Sequence, residues 1–147
     1  MTKPPLSWTP DDIPDLTGRI ILVTGANSGL GLESARMLAG RGATVVMACR
    51  NADKGRSAMA TIRAQYPAAD LALMELDLAD LGSVRRFAET FRSNYDRLDV
   101  LINNAGLMAP PLQHTRDGFE MQFGTNHLGH FALTGLLLDR LEAADAP

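Results

Sequence analysis

The stretch Thr24-Gly25-Ala26-Asn27-Ser28-Gly29-Leu30-Gly31 carries the clearest chemistry in the chain. It lies between an apolar run, Arg19 to Thr24, and a segment of helical character. A pyrophosphate bound at such a junction requires a turn too tight for a Cβ, here Gly25. It requires backbone that can approach the phosphates, here Gly29, and a helix start packed close to the strand, here Gly31. The N–H groups that open the helix, together with its positive dipole end, then face the anion. Ser28 is placed either to cap that helix or to donate to phosphate. The mononucleotide alternative fails, because no Gly-Lys-Ser/Thr follows and Lys54 is far along the chain.

Elements that would position this loop recur along the sequence. The apolar, β-branched run Arg19–Thr24 reads as a buried strand, followed by a helix over Ser28–Gly40 with Leu30, Ser34, Met37 and Leu38 on one face. Gly42 is suited to the left-handed residue that ends it. Ala43–Ala48 is a second strand, and Asn51 caps a helix to about Tyr66. Leu71–Leu76 is a third strand, and Asp80 caps a third helix marked by Leu81, Val84, Ala88, Phe91 and Tyr95. Leu98–Asn103 is the fourth strand, Gly106–Thr115 a loop, and about Arg116 to about Ala143 a last helix. Strands alternating with helices imply an α/β fold: a Rossmann-type doubly wound parallel sheet, with the first four βα units in strand order 3-2-1-4. Residues 1–18, with four prolines, read as an irregular arm before a domain spanning 19–147.

Composition narrows the class. The net charge of -3 disfavours a general nucleic-acid binder. Cys49 is the single cysteine, so no internal disulfide forms, which fits a cytoplasmic protein. No run approaches the roughly 18 apolar residues of a membrane span, and no signal-peptide core opens the chain. His127 and His130, three apart, lack a recognisable third ligand, so no metal site is expected.

The spacing Thr-Gly-x-x-x-Gly-x-Gly resembles that of the short-chain dehydrogenase/reductase family. So do Asp77-Leu78, Asn103-Asn104-Ala105-Gly106 and Asn126 within Asn126-His127-Leu128-Gly129-His130-Phe131. Ala48-Cys49-Arg50 and Ser83-Val84-Arg85 are closest to its retinol-dehydrogenase and protochlorophyllide-reductase-like branch. The resemblance covers about Leu16 to the last residue and corresponds to the N-terminal half of a family member. It implies that the loop residues Gly25, Asn27, Ser28, Gly29, Leu30 and Gly31 contact a nicotinamide dinucleotide. It further implies that Asp77 and Leu78 flank the adenine, and that Asn104, Ala105 and Gly106 border the riboses. By the same resemblance Asn126 is the one member of the catalytic set in the chain, holding a water and the lysine of a proton relay. Read without it, Asn126 is a packed polar residue and Asp77 a turn aspartate bound to its own backbone.

Arg50 stands where an acidic residue would bind the ribose hydroxyls of NAD. A guanidinium there suits a 2′-phosphate, so NADP(H) is expected, with NAD as the alternative. The family's acid/base tyrosine is followed four residues later by lysine. Here Tyr66 and Tyr95 are followed at that distance by Asp70 and Asp99. The expectation is therefore an NADP-dependent oxidoreductase by ancestry, acting on a small carbonyl/alcohol substrate, with its catalytic half missing from these residues and the chain alone inactive. A fragment, a pseudoenzyme and a misread gene all fit. The last helix, rich in Leu133, Leu136, Leu137, Leu138 and Leu141, suits burial against protein, and in the family it commonly helps form a homo-oligomer interface. Two other readings stay open: a non-catalytic dinucleotide-binding or interaction module, and a methyltransferase, which also places a glycine loop after its first strand.

Overall fold

A computed structural model describes residues 8–145. Four parallel strands, β1 Ile20–Thr24, β2 Thr44–Cys49, β3 Leu71–Glu75 and β4 Val100–Ile102, form one sheet in the order β3-β2-β1-β4. This is the α/β Rossmann-type arrangement that the sequence leads one to expect. Helices α1 Gly29–Gly40, α2 Ala52–Gln65 and α3 Leu81–Asn94 provide the crossovers. A longer helical run closes the described chain. It comprises α4 Met121–Phe123, a π-helical turn Gly124–Leu128, α5 Gly129–Leu136 and α6 Leu138–Glu142.

Side chains alternate across a strand, so one apolar run supplies two cores. Ile21, Val23, Val45 and Met47 face α1 and α2, where Ala35, Ala39, Ala58 and Ile62 meet them. Leu22, Val46 and Ala48 face the other way, onto Val84, Phe87 and Phe91 of α3 and onto Leu133 and Leu137. Helices therefore cover both faces, and the backbone polar groups of the central strands are paired in parallel ladders. Asn51 accepts from the Lys54 N–H at 2.9 Å and Asp80 from the Gly82 N–H at 2.8 Å, capping α2 and α3 as expected. Gly42 is left-handed, with φ +91°.

Three expectations need correction. The buried face of α1 is Gly31, Ala35 and Ala39, with Leu32 and Leu38 beside them, while Leu30 is 81% exposed. Small residues, rather than the large ones, let this helix lie close to the sheet. The last helix begins at Met121 and not near Arg116. The Thr115 N–H donates to the Phe119 carbonyl and Gly118 is left-handed, which closes a turn. Arg116 N–H and the Asp117 carboxylate are taken by Ala79 and Leu81 at the start of α3, so they cannot continue a helix. The arm contains a 3-10 turn, Pro10–Asp12, pinned to α1 where Arg41 donates to the Pro10 carbonyl. Its first seven residues lie outside the described residues.

At the end of the sheet where β1 and β4 begin, Asp99 is buried. It accepts from the Ile20 N–H at 2.8 Å, from Arg19 at 2.8 Å and from Arg97 at 3.3 Å. Burial alone would raise its carboxyl pKa, but these three donors together outweigh burial and hold it below the ordinary carboxylate value. The sign follows from linkage. A depressed folded-state pKa contributes stability above the unfolded pKa of about 3.9, and that contribution is lost as pH falls through the folded value. Asp99→Ala leaves the partly buried Ile20 N–H without its side-chain acceptor, a loss of about 1–3 kcal/mol at most. The two arginines are about two-fifths exposed and add little, because water replaces their partner. Urea melts of wild type and variant should differ by that amount at neutral pH and converge as pH falls through the lowered folded-state pKa of Asp99. A difference that persists unchanged in acid would assign the loss to packing instead.

Candidate functional site

The carboxyl ends of β1, β2 and β4 lie level, since Val23 pairs with both Met47 and Ile102. Above them opens a cleft of about 420 Å³, bounded by the segments that follow all four strands. Of the residues singled out from the sequence, Gly25, Asn27, Ser28, Arg50, Asp77, Leu78, Asn104, Ala105 and Gly106 line it. Gly29, Leu30, Gly31 and Asn126 do not. Thr24, Ala48, Leu76, Leu107 and Thr125 line it as well and were not anticipated.

The glycines divide the work. A Cβ on Gly25, which has φ +67°, would come within 2.9 Å of the Ala105 backbone. A Cβ on Gly31 would overlap the Gly25 carbonyl and the Asn104 side chain. These two allow the loop to close onto the end of β4. Gly29 is different: it is left-handed (φ +54°) and nothing lies within 4 Å of where its Cβ would be. Ser28 precedes the helix without capping it, so its hydroxyl and the first N–H groups of α1 are left free of a side-chain cap.

Thr24 is the hub of the cleft floor. Its Oγ1 accepts from the N–H groups of Asn104 at 2.9 Å and Ala105 at 3.0 Å, and lies 2.9 Å from His130 Nε2. Its carbonyl accepts from Asn104 Nδ2 at 2.9 Å, so Asn104 braces the sheet. Thr24's partners lie about eighty to a hundred residues away along the chain, beyond the reach of local sequence patterns. Asp77 plays two parts. Its Oδ1 accepts from the Ala79 N–H at 3.0 Å, the turn-aspartate geometry, while the residue also lines the cleft.

Asn126 lies in the π-helical turn. Its amide grips the backbone of Leu107 twice, accepting from the N–H at 2.9 Å and donating to the carbonyl at 2.8 Å. An asparagine is a poor helix former, and this clasp is what it does there. Single π turns are frequent at functional sites. Of the two histidines, His127 stacks on Phe123 at the surface with ring centroids 5.1 Å apart, whereas His130 is buried.

Arg50 is exposed just after β2, and among the described residues it enters no ion pair. Lys54, in the first turn of α2, is likewise exposed and outside every ion pair described. It lines a second hollow that shares Asn27 and Ser28 with the cleft. In sequence Lys54 fails as a nucleotide-loop lysine and carries no other motif. The signal that could have found it is its position four residues beyond Arg50 at a helix start. No helix among the described residues is long and apolar enough to cross a membrane.

Residues 19–146 match the family model described as short chain dehydrogenase. The chain is 51% identical over 127 residues to retinol dehydrogenase 12 of Mus musculus, an alignment that takes in 86% of this chain and 40% of that protein. A crystal structure of an uncharacterised protein from Mycobacterium paratuberculosis superposes with a TM-score of 0.81 at 56% identity, covering 90% of this chain and 46% of the other. A short chain dehydrogenase from Shigella flexneri, solved in complex with NADP, superposes with a TM-score of 0.75 at 33% identity, covering 89% and 56%. The chain thus spans about half the length, or less, of these relatives.

Proposed function

The chain belongs to the short-chain dehydrogenase family, and from that premise we propose that its cleft holds a nicotinamide dinucleotide, NADP(H) before NAD(H), for an oxidoreductase acting on a carbonyl/alcohol pair. The observation that carries this is the glycine loop. Gly25 and Gly31 let it pack onto β4, while Gly29 faces open space at the start of a helix with no side-chain cap, beside the cleft and the unpaired Arg50. That is the arrangement a pyrophosphate needs. In this reading the first N–H groups of α1, with Asn27, Ser28 and Leu30 around them, hold the pyrophosphate. Arg50 and Lys54 meet the 2′-phosphate. Asp77 and Leu78 flank the adenine, and Asn104, Ala105 and Gly106 border the riboses. Asn126 keeps the Leu107 wall in place and, as in the family, orients part of a proton relay. When bound, the nicotinamide would supply or take up the hydride.

The name of the mouse relative supports an apolar alcohol or aldehyde as substrate. A cytoplasmic setting and a single domain beginning near residue 19 belong to the same proposal, as does self-association through the last helix. A second reading, binding without turnover by these residues, is favoured by one observation: neither Tyr66 nor Tyr95 lines the cleft. Calorimetric titration with NADPH and with S-adenosylmethionine tests the first reading. NADPH should bind and S-adenosylmethionine should not; the opposite result would point to a methyltransferase-like site.

A further inference from the structure

His130 is the one buried histidine among the described residues, and the proposed function gives it no part. Its ring bridges Thr24, on the cleft floor, and Asn126, in the π turn. Nδ1 lies 2.9 Å from the Asn126 carbonyl and Nε2 lies 2.9 Å from Thr24 Oγ1. The protonation state follows from what each partner can do. A carbonyl only accepts, so Nδ1 carries a proton. Thr24 Oγ1 already accepts from two backbone N–H groups, which occupy its two lone pairs. Its own proton must therefore leave in another direction, and Nε2 is a closer acceptor than the Ile102 carbonyl at 3.4 Å. The ring that satisfies every partner is the neutral imidazole protonated on Nδ1 only.

This ring connects three pieces that differ widely in sequence. Thr24 ends β1 and opens the glycine loop. Asn104 and Ala105, held by the same hydroxyl, follow β4. Asn126, in the π turn, holds Leu107. We propose that His130, as the neutral Nδ1–H imidazole, is a positioning residue that locks the glycine loop and the Asn104–Gly106 segment to the π turn and thereby sets the affinity of the cleft for its dinucleotide. This rests on the cofactor reading above. Burial, opposed by the Asn126 carbonyl, lowers the pKa of this histidine, in keeping with the neutral form; no ionised side chain contributes to that shift.

The experiment compares the whole chain as wild type, His130→Gln and His130→Leu. NADPH affinity is measured by calorimetry, and the wild-type ring tautomer is read by long-range ¹H–¹⁵N spectroscopy at neutral pH. Glutamine retains one donor and one acceptor, whereas leucine retains neither. The expected results are an Nδ1–H ring, affinity within about threefold of wild type for His130→Gln, and a loss of roughly tenfold or more for His130→Leu. An Nε2–H or charged ring, or two variants of equal affinity, would overturn the lock. Should His130→Leu not fold, the tautomer and His130→Gln decide, and loss of binding in the glutamine variant overturns the proposal. Should wild type bind no NADPH, the cofactor reading fails, and amide exchange judges the lock by itself. Asn104 and Ala105 should then exchange about tenfold faster in His130→Leu, with Leu22 and Val46 unchanged; equal exchange at all four rejects it.

Discussion

Arg50→Asp should invert the cofactor preference of this chain. In wild type the guanidinium stands free at the end of β2, on the rim of the cleft, with Lys54 nearby across Asn27 and Ser28. NADP differs from NAD by a phosphate on the adenine ribose. A hydrogen bond to a charged group contributes about 1.5–3 kcal/mol, so wild type should favour NADP by roughly ten- to a hundredfold. An aspartate at the same place repels the phosphate and accepts from the ribose hydroxyls of NAD, reversing the ratio by a similar factor. The swing between the two proteins is then on the order of a hundredfold or more. Lys54→Ala should reduce the wild-type preference without reversing it, because it removes attraction and adds no repulsion. Both cofactors are titrated into each protein at one fixed ionic strength, since exposed charges are screened. Equal binding of NAD and NADP by wild type, unchanged by Arg50→Asp, would leave Arg50 as a surface arginine.

The second large effect is on turnover. The 147 residues include two tyrosines, and neither lines the cleft. Tyr66 packs against the core beneath α1 and α2, and Tyr95 lies 4.8 Å from the Phe91 ring on the other side of the sheet. Burial, reinforced by the negative charge of Asp70, raises the Tyr95 pKa, the opposite of what a proton-accepting tyrosinate needs. Loss of a positioned acid or base costs about 10²- to 10⁴-fold, and the chain spans 40% of its mouse relative. A panel of aldehydes and alcohols offered with NADPH or NADP should therefore show no measurable turnover by these residues. Reduction of any panel member, abolished by Asn126→Ala, would require a different proton donor and would defeat the expectation.

Much of the fold was legible because its signals are local. Asn51 and Asp80 cap helices through atoms two or three residues away, Gly42 turns the chain by its own φ, and β-branched runs give the buried strands. The glycine loop was legible for the same reason, together with the strand before it and the helix after it. What sequence could not supply was long-range. Hydrophobic periodicity extended the last helix back to Arg116, because it cannot register that Ala79 and Leu81 claim the intervening backbone and carboxylate. It also assigned α1 a face of large residues, whereas contact with the sheet selected glycine and alanine. Thr24 and His130 gained their significance only once the fold brought distant segments together.

The π turn at Gly124–Leu128 bears on how related sequences are aligned across this helix. A π turn holds one more residue than the α turn it replaces, so removing a single residue restores ordinary winding. The helix on either side would keep its face, because the π turn is what absorbs the extra residue, and only the side chains within the turn would be re-aimed. Leu133 and Leu137 would keep their seats in the core, but Asn126 would swing off Leu107 and off the His130 ring. A one-residue gap here is accordingly a change of site, of a kind that no substitution at the same positions reproduces. Lineages that differ by that gap should be compared as different cleft geometries, even where every side chain named above is retained.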